Sequence, residues 1–131
     1  MSLAKLIDLP DLGDERGGLV SIEAQKSIPF NIQRVYYIFA TRKDKVRGLH
    51  AHRALKQFVI CLHGCCRFVL DNGQQREEIW LNSPIQGLLI DNLLWREMHD
   101  FSEDCVLLIL ASAHYDESDY IRDYGEFLKQ I

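Results

Sequence analysis

The sequence predicts an all-β fold, a sandwich or barrel of about eight or nine short strands. Three observations predict it: short runs rich in β-branched and aromatic residues, turn residues between these runs, and helical spacing in only one segment. With 131 residues, 47% of them hydrophobic and 26% charged, the chain has room for one core. We therefore expect a single domain over residues 1–131.

The predicted strands follow one another from the glycine pair at 17–18 to residue 111. Each combines β-forming residues with an alternating or a wholly apolar pattern. The pair Asn72-Gly73 is the clearest turn signal, because Asn-Gly accepts the positive φ angles of a tight hairpin. The strands are predicted at 19–24, 32–39, 46–52, 55–62, 65–70, 74–81, 88–90, 93–98 and 105–111.

One helix is predicted at the C-terminus, where large apolar side chains recur with helical spacing. Ser118 or Asp119 is expected to cap its start. Gly125 lowers the helix propensity inside it. The apolar face consists of Tyr120, Tyr124, Phe127 and Ile131.

Charge and cysteine usage exclude several classes of function. The net charge of −4 gives no general attraction for polyanions, so nucleic-acid binding is not expected. No apolar run approaches the roughly 20 residues of a membrane span, and the N-terminus lacks the pattern of a secretion signal. The cysteines show no paired metal spacing and are predicted to be buried, inert thiols of a cytoplasmic protein. They are Cys61, Cys65, Cys66 and Cys105.

Two histidines form the main candidate site, in the segment Arg47-Gly48-Leu49-His50-Ala51-His52. Residues two apart on a strand share a face, so both imidazoles are expected to project together. An imidazole can take up and return a proton near neutral pH. The alternative is a pair of partly buried histidines whose hydrogen bonds are satisfied within the protein.

This segment and the residues after it resemble the first motif of the cupin superfamily. In that motif a polar side chain, here Gln57, and then a glycine, here Gly64, follow the two histidines. The resemblance implies a double-stranded β-helix, or jelly-roll barrel, with the short helix added at its end. In metal-binding cupins a Glu stands at the position of Gln57, and a second motif supplies another His. Residues 74–98 contain no His, which leaves His99 as the only further nitrogen ligand. We therefore predict no metal site.

Longer blocks resemble the dTDP-4-oxo-6-deoxyglucose 3,4-ketoisomerases of the FdtA/QdtA type, the WxcM-like cupin family. The resemblance implies a homodimer that makes a 3-oxo sugar without metal or organic cofactor. It also implies that this product is used to make aminated deoxysugars of bacterial surface polysaccharide, such as lipopolysaccharide. The blocks are Arg34-Val35-Tyr36-Tyr37-Ile38-Phe39, Arg47-Gly48-Leu49-His50-Ala51-His52, Trp95-Arg96-Glu97-Met98 and Tyr115-Asp116-Glu117-Ser118-Asp119-Tyr120-Ile121-Arg122. In addition, Asp14-Glu15-Arg16-Gly17 and Arg47-Gly48-Leu49-His50 resemble the paired signatures of the dTDP-sugar epimerase cupins.

The family resemblance implies that His50 and His52 act in catalysis. As a hypothesis, His50 is the base at C3 of the sugar and His52 is the relay or donor to C4. Tyr37 could donate a hydrogen bond to sugar oxygens, or could be a core aromatic. Arg16 and Arg47 could bind a diphosphate or a sugar oxygen, Arg16 across a dimer. Further pocket candidates are Arg34, Gln57, Arg96 and Glu97, while Trp95 could stack on thymine or lie in the core.

Two other functions compete with the isomerase. A metal-dependent cupin oxidase or dioxygenase would need the ligands that Gln57 and the missing second-motif His do not supply. A non-catalytic sugar-nucleotide binding cupin would leave the hydrogen on C3 unexchanged. For the isomerase we expect a rate that follows a group titrating near neutrality, between about pH 5 and 8.

Overall fold

The computed structural model describes residues 2–131, so Met1, the first residue of the predicted domain, lies outside the described residues. These residues form ten strands, one short α-helix and a single 3₁₀ turn at Glu117–Asp119. The elements are β1 (Lys5–Asp8), β2 (Arg34–Ile38), β3 (Arg47–His52), β4 (Gln57–His63), β5 (Cys66–Asp71), β6 (Arg76–Leu81), β7 (Gln86–Ile90), β8 (Trp95–His99), β9 (Val106–Ala111), β10 (Tyr120–Ile121) and α1 (Tyr124–Lys129).

The strands form two five-stranded sheets, ordered β1-β7-β4-β9-β2 and β10-β3-β8-β5-β6, with antiparallel pairing throughout. Successive strands alternate between the sheets from β2 to β5 and from β6 to β10, as in a jelly roll. The main core lies between them and is built from inward-facing apolar residues, among them Phe68, Leu88 and Leu107. The structure confirms the predicted all-β class and the short C-terminal helix.

The segment before β2 differs from the prediction. Strand β1 was not predicted, although it pairs with β7 along its whole length. The predicted strand at 19–24 is wrong: the only bridge there joins Ala24 to Ile28. Val20 and Ile22 pack against the outer face of the first sheet, but no strand edge lies alongside them to accept a ladder. A segment that covers a sheet can show alternating apolar side chains without forming the backbone hydrogen bonds of a strand.

The C-terminal helix begins later than predicted. Tyr120 and Ile121 extend the second sheet by pairing with β3, and Asp123 caps the helix by accepting a hydrogen bond from the backbone N–H of Glu126. The predicted caps, Ser118 and Asp119, are therefore wrong. Phe127 is fully buried on the outer face of the second sheet, against Trp95 and other apolar residues. Trp95 is thus a core residue.

A β-bulge interrupts β3 just before the first histidine. Gly48 has φ 84° and Leu49 has φ 56°, and the pairing with β8 shifts between Gly48 and His50. At Gly48 a Cβ atom would lie 3.0 Å from the carbonyl oxygen of Arg96. Because Leu49 is a non-glycine residue held in the left-handed region, the bulge stores strain beside the histidine pair.

Candidate active site

The candidate site lies at the end of the barrel where β2, β3 and β10 approach one another. It consists of two adjoining cavities of about 610 and 440 Å³, and Arg34 and Tyr120 line both. His52 lines the first cavity, together with Asp119. His50 lines the second. The site therefore has one histidine in each of two connected compartments.

The two imidazole rings meet edge to face, with ring centroids 4.8 Å apart, and Tyr120 packs against both of them. His50 Nδ1 lies 3.0 Å from the carbonyl oxygen of Gly48. A carbonyl oxygen only accepts hydrogen bonds, so Nδ1 of the neutral ring carries the proton. Nε2 of His50 is then an unprotonated acceptor and can act as a base.

His52 has a different partner and reaches the same protonation pattern. Its Nδ1 lies 3.0 Å from Oδ2 of Asp119, which itself accepts hydrogen bonds from the backbone N–H groups of Ala54 and Leu55. The carboxylate accepts from Nδ1, and Nε2 of His52 is left unprotonated. Within residues 2–131, that buried Nε2 has no hydrogen-bond partner. Such a buried acceptor is a place where a ligand can bind.

Burial and, as the second cause, the positive charge of Arg96 lower the pKa of His50 to about 4. The same two causes, in the same order, lower the pKa of His52 to about 3. Both effects disfavour the protonated ring. Both histidines are therefore neutral at neutral pH, and the expected titration near neutrality is wrong for this site.

Arg96 lies behind the histidines and is 1% exposed. Its guanidinium donates 2.6 and 2.9 Å hydrogen bonds to Gln57 Oε1 and to the carbonyl oxygen of Leu94. Gln57 in turn donates a 2.7 Å hydrogen bond from Nε2 to the hydroxyl of Tyr36. Burial lowers the pKa of Arg96 to about 10, which still leaves it charged at neutral pH. Gln57 and Arg96 thus form the inner wall of the site.

Three arginines surround the cavities. Arg34 packs over the Tyr36 ring at 5.1 Å, and its buried Nε has no partner within residues 2–131. Arg47 lines the second cavity and is exposed. Arg122 lies 4.2 Å above the Tyr120 ring and forms an ion pair with Glu117. Of the predicted binding arginines, the structure therefore places Arg34, Arg47 and the buried Arg96 at the site, and it adds Arg122.

The structure does not bring Tyr37 to the histidines. Side chains alternate along β2, so Tyr36 faces the second cavity while Tyr37 is 64% exposed on the outer face, 5.9 Å from Phe39. Neither prediction for Tyr37, a pocket donor or a core aromatic, matches this position. The prediction was displaced by one residue along β2, because the adjacent Tyr36 is the tyrosine that points inward.

Two further candidates lie away from the cavities. Arg16 projects from an exposed turn and forms a 2.6 Å ion pair with Asp14. Glu97 points out of the barrel, where it accepts hydrogen bonds from Trp95 Nε1 and pairs with His99. Glu97 alternates with the inward-facing Arg96, so both cannot reach the site from one strand.

Sequence reasoning missed four residues of the site: Tyr36, Asp119, Tyr120 and Arg122. The alternation of β2 could have found Tyr36, because Arg34 was already a pocket candidate two residues away. Asp119 and Tyr120 were assigned to a helix start, although they belong to one of the blocks that carried the family resemblance. Nothing local to these two residues indicates that they return to β3.

Residues 2–131 contain no group of three His, Cys, Asp or Glu side chains placed to hold a metal ion. His99, the candidate third ligand, is instead paired with Glu97. The same residues include no helix that is long and apolar enough to cross a membrane. Independence from metal remains a prediction.

Comparison with known proteins finds relatives over nearly the whole chain. The family model FdtA, described as WxcM-like, C-terminal, matches residues 2–131. The chain is 53% identical over 127 residues to a TDP-4-oxo-6-deoxy-alpha-D-glucose-3,4-oxoisomerase of Aneurinibacillus thermoaerophilus, covering 97% of this chain and 91% of the relative.

Two solved structures are similar over nearly the whole chain. The 3,4-ketoisomerase QdtA of Thermoanaerobacterium thermosaccharolyticum, as a histidine-to-asparagine variant in complex with TDP-4-keto-6-deoxyglucose, is 45% identical with a TM-score of 0.95, covering 99% of this chain and 94% of that one. The WlaRB TDP-quinovose 3,4-ketoisomerase of Campylobacter jejuni is 45% identical with a TM-score of 0.94, covering 98% and 99%. The cupin fold and the family resemblance are confirmed: this chain belongs to the FdtA family of WxcM-like, C-terminal domains.

Proposed function

We propose that this protein is a sugar-nucleotide 3,4-ketoisomerase that converts dTDP-4-oxo-6-deoxyglucose into a dTDP-3-oxo-6-deoxyhexose. The observation that carries the proposal is the pair of neutral histidines whose Nε2 atoms are both unprotonated at one site. The reaction removes one proton from C3 and one from O3 and returns one to O4 and one to C4, and a pair of bases meets this need.

The two histidines can balance the reaction. His50 removes the proton from C3, which the neighbouring ketone acidifies, and an enediolate forms across C3 and C4. The proton then passes from His50 to O4. His52 takes the proton of O3 and delivers it to C4, which leaves the ketone at C3. Both rings begin and end neutral, in agreement with the lowered pKa of each.

Local arginines bind the diphosphate of the substrate in this proposal, because the net charge of −4 gives the protein no overall attraction for an anion. Arg34 is the stronger candidate: its buried Nε has no partner within residues 2–131, and it lies between the two cavities. Arg47 lies at the second cavity with its charge free to contact a phosphate.

The active form in this proposal is a homodimer whose interface includes the outer face of β2. That face exposes Val35, Tyr37 and Phe39 by 56, 64 and 65%, a contiguous apolar surface of the kind that marks an interface. A Tyr37→Lys, Phe39→Lys variant is expected to halve the mass measured by light scattering. The matched control is Ile85→Lys, at an exposed apolar residue just before β7, on the far side of the sheet from β2.

Four free cysteines favour a reducing compartment, the cytoplasm.

The test of the activity is incubation of metal-analysed protein with dTDP-4-oxo-6-deoxyglucose in heavy water. We expect a 3-oxo product with deuterium at C4, because the O3 hydroxyl that supplies the C4 proton exchanges with heavy water before the reaction, and the same rate in EDTA. Binding of the nucleotide with an unchanged sugar would indicate a non-catalytic binding cupin. Activity that follows a transition metal would indicate the oxidase class.

A further inference from the structure

The strand that brings Asp119 to the histidines is short. β10 consists of Tyr120 and Ile121, which pair with His52 and Ala51 of β3. So short a strand contributes few backbone hydrogen bonds, and small two-stranded pairings are only marginally stable on their own. Further contacts are therefore needed to keep Asp119 within hydrogen-bond distance of His52.

Arg53, the residue after His52, supplies these contacts. Nη1 of its guanidinium donates hydrogen bonds of 3.2 and 2.9 Å to the carbonyl oxygens of Ser118 and Tyr120. Its backbone N–H donates a 2.9 Å hydrogen bond to the carbonyl oxygen of Asp119, which lies between them. Hydrogen bonds from a charged donor are stronger than those between neutral groups. Arg53 thus holds three successive carbonyl groups, and that of Asp119 is the middle one.

The carboxylate of Asp119 depends on the same contacts. Oδ1 accepts from the Ala54 N–H at 2.8 Å, while Oδ2 accepts from the Leu55 N–H at 3.3 Å and from Nδ1 of His52 at 3.0 Å. These distances require that the backbone of Asp119 stays fixed relative to the segment after His52. Arg53 is itself exposed and lines neither cavity, so it acts on the site through the segment that it holds.

We infer that Arg53 is a positioning residue, which holds Asp119 so that its carboxylate accepts the Nδ1 proton of His52. The inference rests on the proposed function. In this role Arg53 keeps His52 in the neutral form whose Nε2 is unprotonated, since the partner of one ring nitrogen decides which nitrogen carries the proton. Without these hydrogen bonds His52 divides between its two neutral forms, and only one of them can take the proton of O3.

Arg53→Met tests the inference, because it removes both side-chain hydrogen bonds and leaves the backbone N–H in place. We expect kcat to fall about 10-fold with KM nearly unchanged, as when a group that orients a histidine is removed. The loss should not exceed that caused by Asp119→Asn, since Arg53 acts through Asp119. Nitrogen-15 NMR of the imidazoles gives a second readout: the His52 signals should move from a protonated Nδ1 and an unprotonated Nε2 toward the average of the two neutral forms.

Arg67→Met is the matched control. Arg67 also donates two side-chain hydrogen bonds, to Asp100 at 2.8 Å and to Glu78 at 2.9 Å, and it lines neither cavity. The control variant should have the kcat and the His52 signals of the wild type, even where its unfolding temperature falls.

The double variant Arg53→Met, Asp119→Asn separates positioning from a general loss of stability. If Arg53 acts through Asp119, adding Arg53→Met to Asp119→Asn lowers kcat by less than about threefold, because coupled positions are not additive. A substitution that only loosened the fold would lower kcat by the same factor in both backgrounds. Arg53→Gln, which is shorter and uncharged, repeats each measurement with a polar side chain suited to an exposed position. Thermal unfolding and TDP binding report whether each variant is folded.

The outcomes are distinct. A folded Arg53→Met or Arg53→Gln variant with wild-type kcat and unchanged His52 signals overturns the inference and leaves the proposed function standing. Equal losses from Arg53→Met with and without the Asp119 carboxylate also overturn it. Wild-type protein that binds TDP but does not isomerise the sugar overturns the proposed function, whereas the His52 signals of the variants still decide whether Arg53 positions Asp119.

Discussion

The two ends of the barrel are built from the same strands and have opposite chemistry. Gln57 and Cys61 stand four residues apart on β4, about 13 Å along the strand. At the first end, buried side chains carry nitrogen atoms without partners among the described residues, namely Arg34 Nε and His52 Nε2. At the other end, Cys61 and Cys105 bring their sulfur atoms within 4.0 Å of each other.

The difference separates function from stability along one set of strands. Cys61 contacts the carbonyl oxygens of His63 and Gly64, and burial raises its pKa to about 12. Burial also raises the pKa of Cys66. Cys61, Cys66 and Cys105 are buried as the sequence predicted, whereas Cys65 is only partly buried. That these thiols are unreactive stays a prediction. Polar groups buried without partners cost folding free energy, so the histidine end keeps a capacity to bind at the expense of stability.

The largest effect on activity is expected from the His50→Asn, His52→Asn double variant. It removes both bases, so kcat should fall by at least about 10²–10⁴, the usual contribution of general acid–base catalysis. The measurement is the rate of 3-oxo sugar formation by NMR. The unfolding temperature and TDP affinity of the variant serve as controls, and full activity in a folded double variant would contradict the mechanism.

Most of the fold could be predicted because its strands pack an apolar face in the main core. The alternating or wholly apolar patterns of β4 to β9 record burial directly, and the turn at Asn72-Gly73 divides β5 from β6 as predicted. The segment at 19–24 misled because it covers a sheet without joining one. β10 was missed because two residues, Tyr120 and Ile121, are too short to show a period.

The site could be predicted only where the strand itself determines which side chains face one another. His50 and His52 were found because both lie on β3. Tyr37 was chosen in place of Tyr36 although Arg34, a pocket candidate two residues before Tyr36, shares its face of β2. The contact between His52 and Asp119 joins residues 67 positions apart, and no local pattern encodes such a contact.

The next largest effect is expected from Asp119→Asn, which changes a residue at the histidine end of the barrel without removing a histidine. Asp119 accepts from His52 Nδ1 and from the Ala54 backbone N–H, so an asparagine NH₂ must face one of these donors. His52 loses its fixed orientation, and we expect kcat to fall about 10- to 100-fold, as when a carboxylate that orients a histidine is removed. Steady-state kinetics by NMR tests this.

Asp123→Asn is the matched control for this prediction. Asp123 caps α1 four residues away, and asparagine caps helices as well as aspartate does. Its kcat should equal that of the wild type. Equal losses in the two variants would mean that the C-terminal segment acts by folding alone and that Asp119 does not orient His52.

A smaller effect, confined to acid, is expected from pH. The pKa values of about 4 for His50 and about 3 for His52 keep both bases neutral above those values. The rate constant should therefore stay level from about pH 5 to 8 and fall as the pH drops through about 4. The unfolded chain takes up protons below a pKa of about 6.5, so folding stability should also fall between about pH 6.5 and 4.

Single-turnover rates at each pH, with near-UV circular dichroism to check folding, test the pH prediction. The buried thiols should contribute nothing to the pH dependence between about pH 4 and 8, because burial raises the pKa of Cys61 and of Cys66 above the ordinary value of a thiol. A change of rate centred between about pH 6 and 7 would indicate a solvated histidine as the base and would contradict the burial argument.

The smallest effect on activity is expected from Cys66→Ser, at the thiol end. Cys66 is 0% exposed, so the shorter and more polar hydroxyl should lower the free energy of unfolding by about 1–3 kcal/mol. Because Cys66 lies at the far end of β5 from the residue that pairs with Arg96, kcat should not change. Urea unfolding and steady-state kinetics measure the two quantities, with Cys66→Ala as the control that adds no polar group. A folded Cys66→Ser enzyme that lost most of its kcat would show that the two ends are mechanically coupled, so that unreactive packing at one end of the barrel fixes the histidines at the other.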